Sequence, residues 1–324
     1  MSEGSAFVAV HLDEATALGE RLTELIDRPG DFLAQLTEGL LALREPEYLA
    51  MATRACPQTP ARYLLRGPLA EAVNRPLRQA LREGSSMSAL QLAQVLAAAD
   101  HRDLRLHAHE PLRRALPEDP EMAWQIMRRL GRAAEDWIAT DSLADLWARG
   151  ILAEAFRWAE LEQLLYSGQV YERRLVAATL ATLPHRLPKE RRGELREHAL
   201  ERALELVRQL MGDAEVMVQK ALSWAIREWT PVDAEATGDL LRAETTLAAE
   251  GRDGARAWVI RDSLSKQPAD LADELRARLE GIRRVAGAPS TSIASTQAAA
   301  FAEVLGASTD VAAAQGDRYT RSHA

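Results

Sequence analysis

Apolar residues return every three or four positions along most of this chain, which is the spacing of an amphipathic helix. In "VQKALSWAIREW" (218–229), Val218, Leu222, Ala225 and Trp229 fall at i, i+4, i+7 and i+11, a stripe that faces a core. The blocks "GSSMSALQLAQVLAAA", "EMAWQIMRRLGRAAEDW", "LADLWARGILAEAFRWAELEQLL" and "RRGELREHALERALELVRQLM" repeat that spacing between turns rich in Gly, Pro or Asp. β-branched runs are almost absent, so the pattern predicts an all-α fold. "RPLRQALRE" at 75–83 echoes in "EPLRRALPE" at 110–118, with Pro76 and Pro111 thirty-five residues apart. Proline is tolerated in the first turn of a helix, so the echo predicts one helix start in two consecutive hairpins. A period of that size marks an α-solenoid over residues 1–285. From 286 on, Ala, Ser, Thr and Gly dominate. This segment, 286–324, is expected to be a flexible, low-complexity tail with one short helix near Gln297–Leu305.

Composition narrows the class without changing the fold. Aromatics are 5% of the chain and the net charge is −8. Residues 1–60 carry four basic and ten acidic side chains, whereas 61–130 carry eleven basic and eight acidic, so a local basic face survives. The cations are nearly all Arg, whose forked donors match phosphate. The lone Cys56 excludes an intrachain disulfide and a cysteine-rich metal site. With no basic-then-apolar leader and no long apolar stretch, the expectation is a soluble cytoplasmic protein with no membrane contact.

Nucleotide-binding glycine loops are absent. "HRDL" at 101–104 spells a kinase tetrad, but without a glycine-rich loop before it or Asp-Phe-Gly after it, coincidence is the better account. His107 and His109 stand two apart, cannot share a helix face as metal ligands, and are expected in solvent.

Three places set polar residues oddly among Trp and Ala. In "EDWIATDSLADLWARG" (135–150), Trp137 and Asp141 are i, i+4 neighbours on a stripe running through Ala144 and Ala148. That describes a shallow cleft holding one anion; alternatively, Asp141 or Thr140 caps the following helix. In "YSGQVYERRLVAATLATL" (166–183), Ser167-Gly168 opens a helix and puts Arg173 and Arg174 in its early turns, against the macrodipole. Either a bound phosphate reverses the sign there, or both arginines are solvated and offset by Glu172. On 218–229, Trp224 lies off the apolar stripe beside Lys220 and Arg227, so it either packs on a neighbouring repeat or faces a ligand.

Together, Trp137-x-x-x-Asp141, "YERR" and "VQKALSWAIRE" resemble the AlkD-type DNA alkylation repair proteins, the HEAT-like-repeat DNA glycosylases. "ARAWVIRDSLSK" at 255–266 resembles that family's closing helix, and the similarity is clearest over 120–266. The resemblance implies a curved solenoid whose concave face grips double-stranded DNA with alkylated bases. The reaction it implies is hydrolysis of the N-glycosidic bond of cationic purines of the 3-methyladenine and 7-methylguanine type. It implies a monomer that uses no metal and no cofactor. Asp141 matches the catalytic carboxylate, and Trp137 and Trp224 match the two indoles flanking the lesion's deoxyribose. Arg174, or less closely Arg173, matches the phosphate-holding arginine, with Lys220 and Arg227 available to the DNA backbone. The acidic net charge, the extended spacer before Trp224, Tyr171 in place of an indole and the long tail depart from the family pattern.

The chemistry is consistent with that resemblance. An N3- or N7-alkylated purine already carries positive charge, so what the site must stabilise is a developing oxocarbenium. An anion and two indole faces do so. On this expectation Trp137, Asp141, Arg174 and Trp224 converge on one concave surface, the carboxylate within about 10 Å of both indoles. A non-catalytic HEAT-like scaffold for branched DNA or a protein partner is the alternative, though a carboxylate on a phosphate-facing surface would cost it affinity.

Overall fold

A computed structural model of the chain describes residues 3–301. Among them there is no β-strand, and seventeen α-helices lie between Glu3 and Arg278. The chain divides into two compact units, 1–157 and 158–324.

The first unit holds α1 (Glu3–Thr23), α2 (Pro29–Ala42), α3 (Pro46–Ala55), α4 (Gly67–Glu83), α5 (Ser86–Ala97), α6 (Arg102–Arg105), α7 (His109–Ala115), α8 (Pro120–Arg132) and α9 (Trp137–Ala153). Helix α10 (Arg157–Gln163) carries the boundary between the units. The second unit holds α11 (Val170–Thr182), α12 (Arg192–His198), α13 (Leu200–Leu210), α14 (Val216–Trp229), α15 (Ala234–Glu250), α16 (Gly254–Ser263) and α17 (Ala269–Arg278).

Helices pack in rows within each unit. In the first, α1 packs on α4, α4 on α7 and α7 on α9, while α2, α5 and α8 form a second row against them. In the second, α11, α14 and α16 make one row, and α13, α15 and α17 the other. Each row buries the stripe that the sequence marks. Val218, Leu222, Ala225 and Trp229 of α14 are fully buried, and the Trp229 indole donates to the Leu180 carbonyl of α11 at 2.9 Å. In the first unit Trp124 and Trp147 are buried with ring centroids 4.5 Å apart, and Gly150 leaves the room for Trp124 that a Cβ would fill.

Of the echo's two prolines, Pro111 stands in the first turn of its helix and Pro76 does not. Pro76 stands inside the seventeen-residue α4, and Pro111 is the third residue of α7. The start of α4 is set by Pro68, within its first two residues. Pro76 leaves the Ala72 carbonyl without its helical donor, yet burial of Leu69, Val73, Leu77 and Leu81 holds the helix through it. The two echoed segments do lie side by side, with Arg78 bonded to Glu110.

The segment from 286 is also not wholly a free tail. The Thr291 amide donates to the Gly212 carbonyl at 3.0 Å, the Thr291 hydroxyl bonds Asp253, and Ser292 and Ala294 are fully buried. Gly212 makes this docking possible: its φ is +90°, and a Cβ there would strike the Thr291 hydroxyl. The Thr291 carbonyl also accepts from Arg256 of α16. The chain is helical over 293–301; the remainder of the helix expected near Gln297–Leu305 lies outside the described residues. No described helix is long and apolar enough to cross a membrane.

Candidate functional site

The first set of candidate residues stands at the opening of α9. Asp136 is the N-cap, its carboxylate accepting from the Ala139 amide at 3.0 Å while the buried Thr140 hydroxyl donates to the Asp136 carbonyl at 2.8 Å. The cap is therefore neither Asp141 nor Thr140. Trp137 is the first helical residue, half-buried, with its indole N–H donating to the Ala55 carbonyl at 3.3 Å. Asp141 follows one turn later on the same side, also half-buried. The stripe does not continue as an open cleft, because Ala144 and Ala148 are fully buried. Their small size admits neighbouring helices rather than a ligand.

The start of α9 is anchored from a distance. Arg102 is fully buried and bridges Asp136 to Asp103, its Nε 2.6 Å from Asp103 Oδ1. Asp103 Oδ2 in turn accepts from the amides of Arg62 and Tyr63 at 2.8 and 2.9 Å. The "HRDL" segment is thus an internal strut, with His101 capping α6 through the Asp103 amide. Sequence reasoning passes over it because Arg102 and Asp136 are thirty-four positions apart.

The second set of candidate residues lies in the other unit. Helix α11 is capped by Gln169, and Ser167 accepts from the Gln169 amide and bonds the Glu172 carboxylate. Neither arginine is solvated, contrary to that expectation. Arg173 pairs with the buried Asp213 at 2.7 Å and donates to the Ser167 carbonyl at 2.8 Å. Arg174 is buried and donates to the Met217 carbonyl at the start of α14. Their charge is taken up by carbonyl and carboxylate partners forty or more positions away, which offsets the unfavourable place in the helix.

On α14, Trp224 is half-buried and off the core stripe. Lys220 is exposed and makes no side-chain bond among the described residues. Arg227, expected to be available to the DNA backbone, donates to both the carboxylate and the carbonyl of Asp262 on α16. The Ser223 hydroxyl reaches the same carboxylate at 2.6 Å. On α16 the half-buried Trp258 carries the Arg284 guanidinium 4.6 Å above its ring, an aromatic–cation pair that sequence periodicity does not reveal.

The structure thus joins Trp137 to Asp141 in one unit and gathers Arg173, Arg174, Lys220, Trp224 and Arg227 around the start and face of α14 in the other. His107 and His109, expected in solvent, are partly buried. Removal from water holds both imidazoles well below their ordinary range, at about 4.

The described residues form helices and no strand, and they present a Trp–Asp pair on α9 and an Arg- and Trp-bearing face on α14. The sequence profile of the family described as DNA alkylation repair enzyme matches residues 36–266, a span that includes every candidate residue named above. The chain belongs to that family, and with it to the enzymes of DNA repair that act on alkylated DNA. No curated protein and no solved structure matches it.

Proposed function

We propose that this chain is a DNA glycosylase that hydrolyses the N-glycosidic bond of cationic alkylated purines in duplex DNA. On this reading its helices stack as HEAT-like hairpins into a solenoid, and the concave face takes the duplex. The double rows of helices within each unit support the stacking. The reading rests chiefly on α9, where Asp136 does the capping and Asp141 stands one turn beyond Trp137 on a half-buried surface.

The chemistry asks little of the protein beyond charge and shape. The C1′–N bond breaks with its electron pair moving onto the positively charged base, which leaves neutral without protonation. Water adds to C1′ and gives up a proton, leaving an abasic sugar. Asp141 stabilises the cationic sugar electrostatically and orients the water. Trp137 and Trp224 supply indole faces to the same charge, each worth about 0.5–2 kcal/mol. Lys220 meets a phosphate from its exposed position, and Arg174, pinned by the Met217 carbonyl, is the cation set to fix the DNA register. Arg173, committed to Asp213, takes the lesser part.

The test is release of base from duplex DNA containing 7-methylguanine, with and without Asp141→Asn. Release by the wild type that falls sharply in the variant supports the enzyme. A wild type that binds the duplex and releases nothing is a scaffold for DNA or protein instead.

A further inference from the structure

The first unit contains a second site that the reaction above does not use. A cavity of about 380 Å³ opens between α4, the turn at Leu106–Ala108, α7 and α9. That size falls within the range of small-molecule pockets, roughly 300–1,000 Å³. Four polar side chains line it: Asn74 on α4, His107 on the turn, His109 on α7 and Ser142 on α9, the residue after Asp141. All four are partly buried, and none makes a side-chain hydrogen bond among the described residues. They converge on one cavity, where their donors and acceptors are open to a ligand.

The charged groups at the cavity are largely committed. Glu110 pairs with Arg113 at 3.0 Å, Arg113 reaches Asp145 at 3.2 Å, and Asp103 is held by Arg102 and two backbone amides. The Arg113 Nε is buried without an acceptor, which a neutral ligand can supply without breaking any of these pairs. The remaining lining includes Tyr63, Leu65 and Leu106, an aromatic and aliphatic surface suited to a flat ring. Together the walls offer one amide, one hydroxyl and two uncharged imidazoles, each able to donate and accept.

We propose that this cavity binds a neutral heterocyclic base of purine size, its ring against the apolar lining and its edge bonded by Asn74, His109 and Ser142. The glycosylase reading enters only in the choice of an alkylpurine as the probe. Such a base is the neutral product of that reaction, and Ser142 follows Asp141 directly in α9.

The experiment titrates the full chain with free 7-methylguanine by calorimetry, with indole and glucose as comparison ligands. For about a dozen non-hydrogen atoms, a dissociation constant between ten micromolar and one millimolar is the expected range. Indole has a similar shape but lacks most of the edge atoms, and should bind at least tenfold more weakly, because the amide and imidazoles would be left unpaired. Asn74→Leu and Ser142→Val should each weaken base binding about tenfold or more, with the thermal melt of each variant showing that it is folded. His109→Phe keeps a flat ring without its nitrogens and should do the same, giving a third variant if either of the others fails to fold.

Three outcomes overturn the proposal: no saturable binding of the base by the wild type, glucose bound as tightly as the base, or base binding undiminished in the folded variants. The last would put the base elsewhere on the chain. Base binding is read without any excision, so its failure leaves the glycosylase test untouched, and a chain that excises nothing can still bind the base.

Discussion

At a single residue, Asp141, the charge can be removed while the shape of the side chain is kept. Asp141→Asn takes away stabilisation that exists mainly in the transition state, so single-turnover excision should fall by about 10²-fold or more. Duplex affinity should hold or rise slightly, since a negative charge has left a phosphate-facing surface. An unchanged excision rate would end the catalytic role of Asp141. Lys220 is the cleaner probe of phosphate contact, because Arg174 is buried against the Met217 carbonyl and its loss would also cost stability. Lys220→Ala should weaken binding alike on all sequences and lower the salt slope by about one contact, measured by filter binding across a salt series. His107 and His109 carry a separate, pH-dependent effect. Desolvation lowers both to about 4; the Arg113 charge and His107 add to the effect at His109, Asp145 opposes it there, and Asp103 opposes it at His107. The unfolded chain therefore binds more protons than the folded one between about pH 4 and 6.5. The stability these residues contribute is present above about 6.5 and is lost as pH falls toward 4, on the order of 2 kcal/mol for each group. Urea unfolding at pH 7 and pH 5 should show that loss in the wild type and much less of it in His107→Gln/His109→Gln. Equal losses in both would remove the histidines as the cause.

At the level of an element, the opening of α9 depends on a buried ion cluster rather than on local propensity. Arg102→Met would leave Asp103 and Asp136 buried without their shared cation, which should cost about 3–5 kcal/mol in a urea melt. The variant should also loosen the Trp137 indole from the Ala55 carbonyl, seen as a shift of that indole N–H resonance, which is assigned by its absence in Trp137→Phe. A melt within about 1 kcal/mol of the wild type would mean that α9 is set by its own sequence. These cases also show which parts of the site can be read along the chain. The α14 stripe is legible because period 3.6 records a core directly, and Trp224 stands out as the residue off that record. The cap of α9 is not: the sequence suggests Asp141 or Thr140, whereas the cap is Asp136, held by the buried Arg102 from another helix. Arg174 and Arg227 read as exposed cations for the same reason, since Met217 and Asp262, their partners, belong to neighbouring helices. Pro76 misleads because tertiary burial of α4 overrides a local helix-stop signal.

For the whole molecule, the all-helical class is legible from composition and period, whereas the extent of the folded body is not. The family match covers residues 36–266, and described residues on both sides of it are part of the core. Helix α1 packs along α4, where Gly19 comes so close to the Val73 carbonyl that a Cβ would strike it. At the other end, α17 packs on α15, and Ser292 and Ala294 are buried beyond it. Small residues from 286 on suggest a segment without a core role, yet Thr291 bonds the Gly212 backbone and the start of α16. Leu18, Leu22, Leu271, Leu275 and Leu279 are nearly or fully buried, each worth about 1.5–3 kcal/mol. All five lie outside 36–266. Ordering entropy saved by removing those residues offsets part of the loss, but against a total stability of roughly 5–15 kcal/mol the remainder is large. A chain trimmed to 36–266 should therefore lose cooperative thermal melting, bind a hydrophobic dye such as ANS through the uncovered faces of α4 and α15, and release no alkylated base. It would do so while keeping Trp137, Asp141, Arg174 and Trp224. A trimmed chain that melts cooperatively at the temperature of the full one would show that these outer helices are accessory to a core held within the family span.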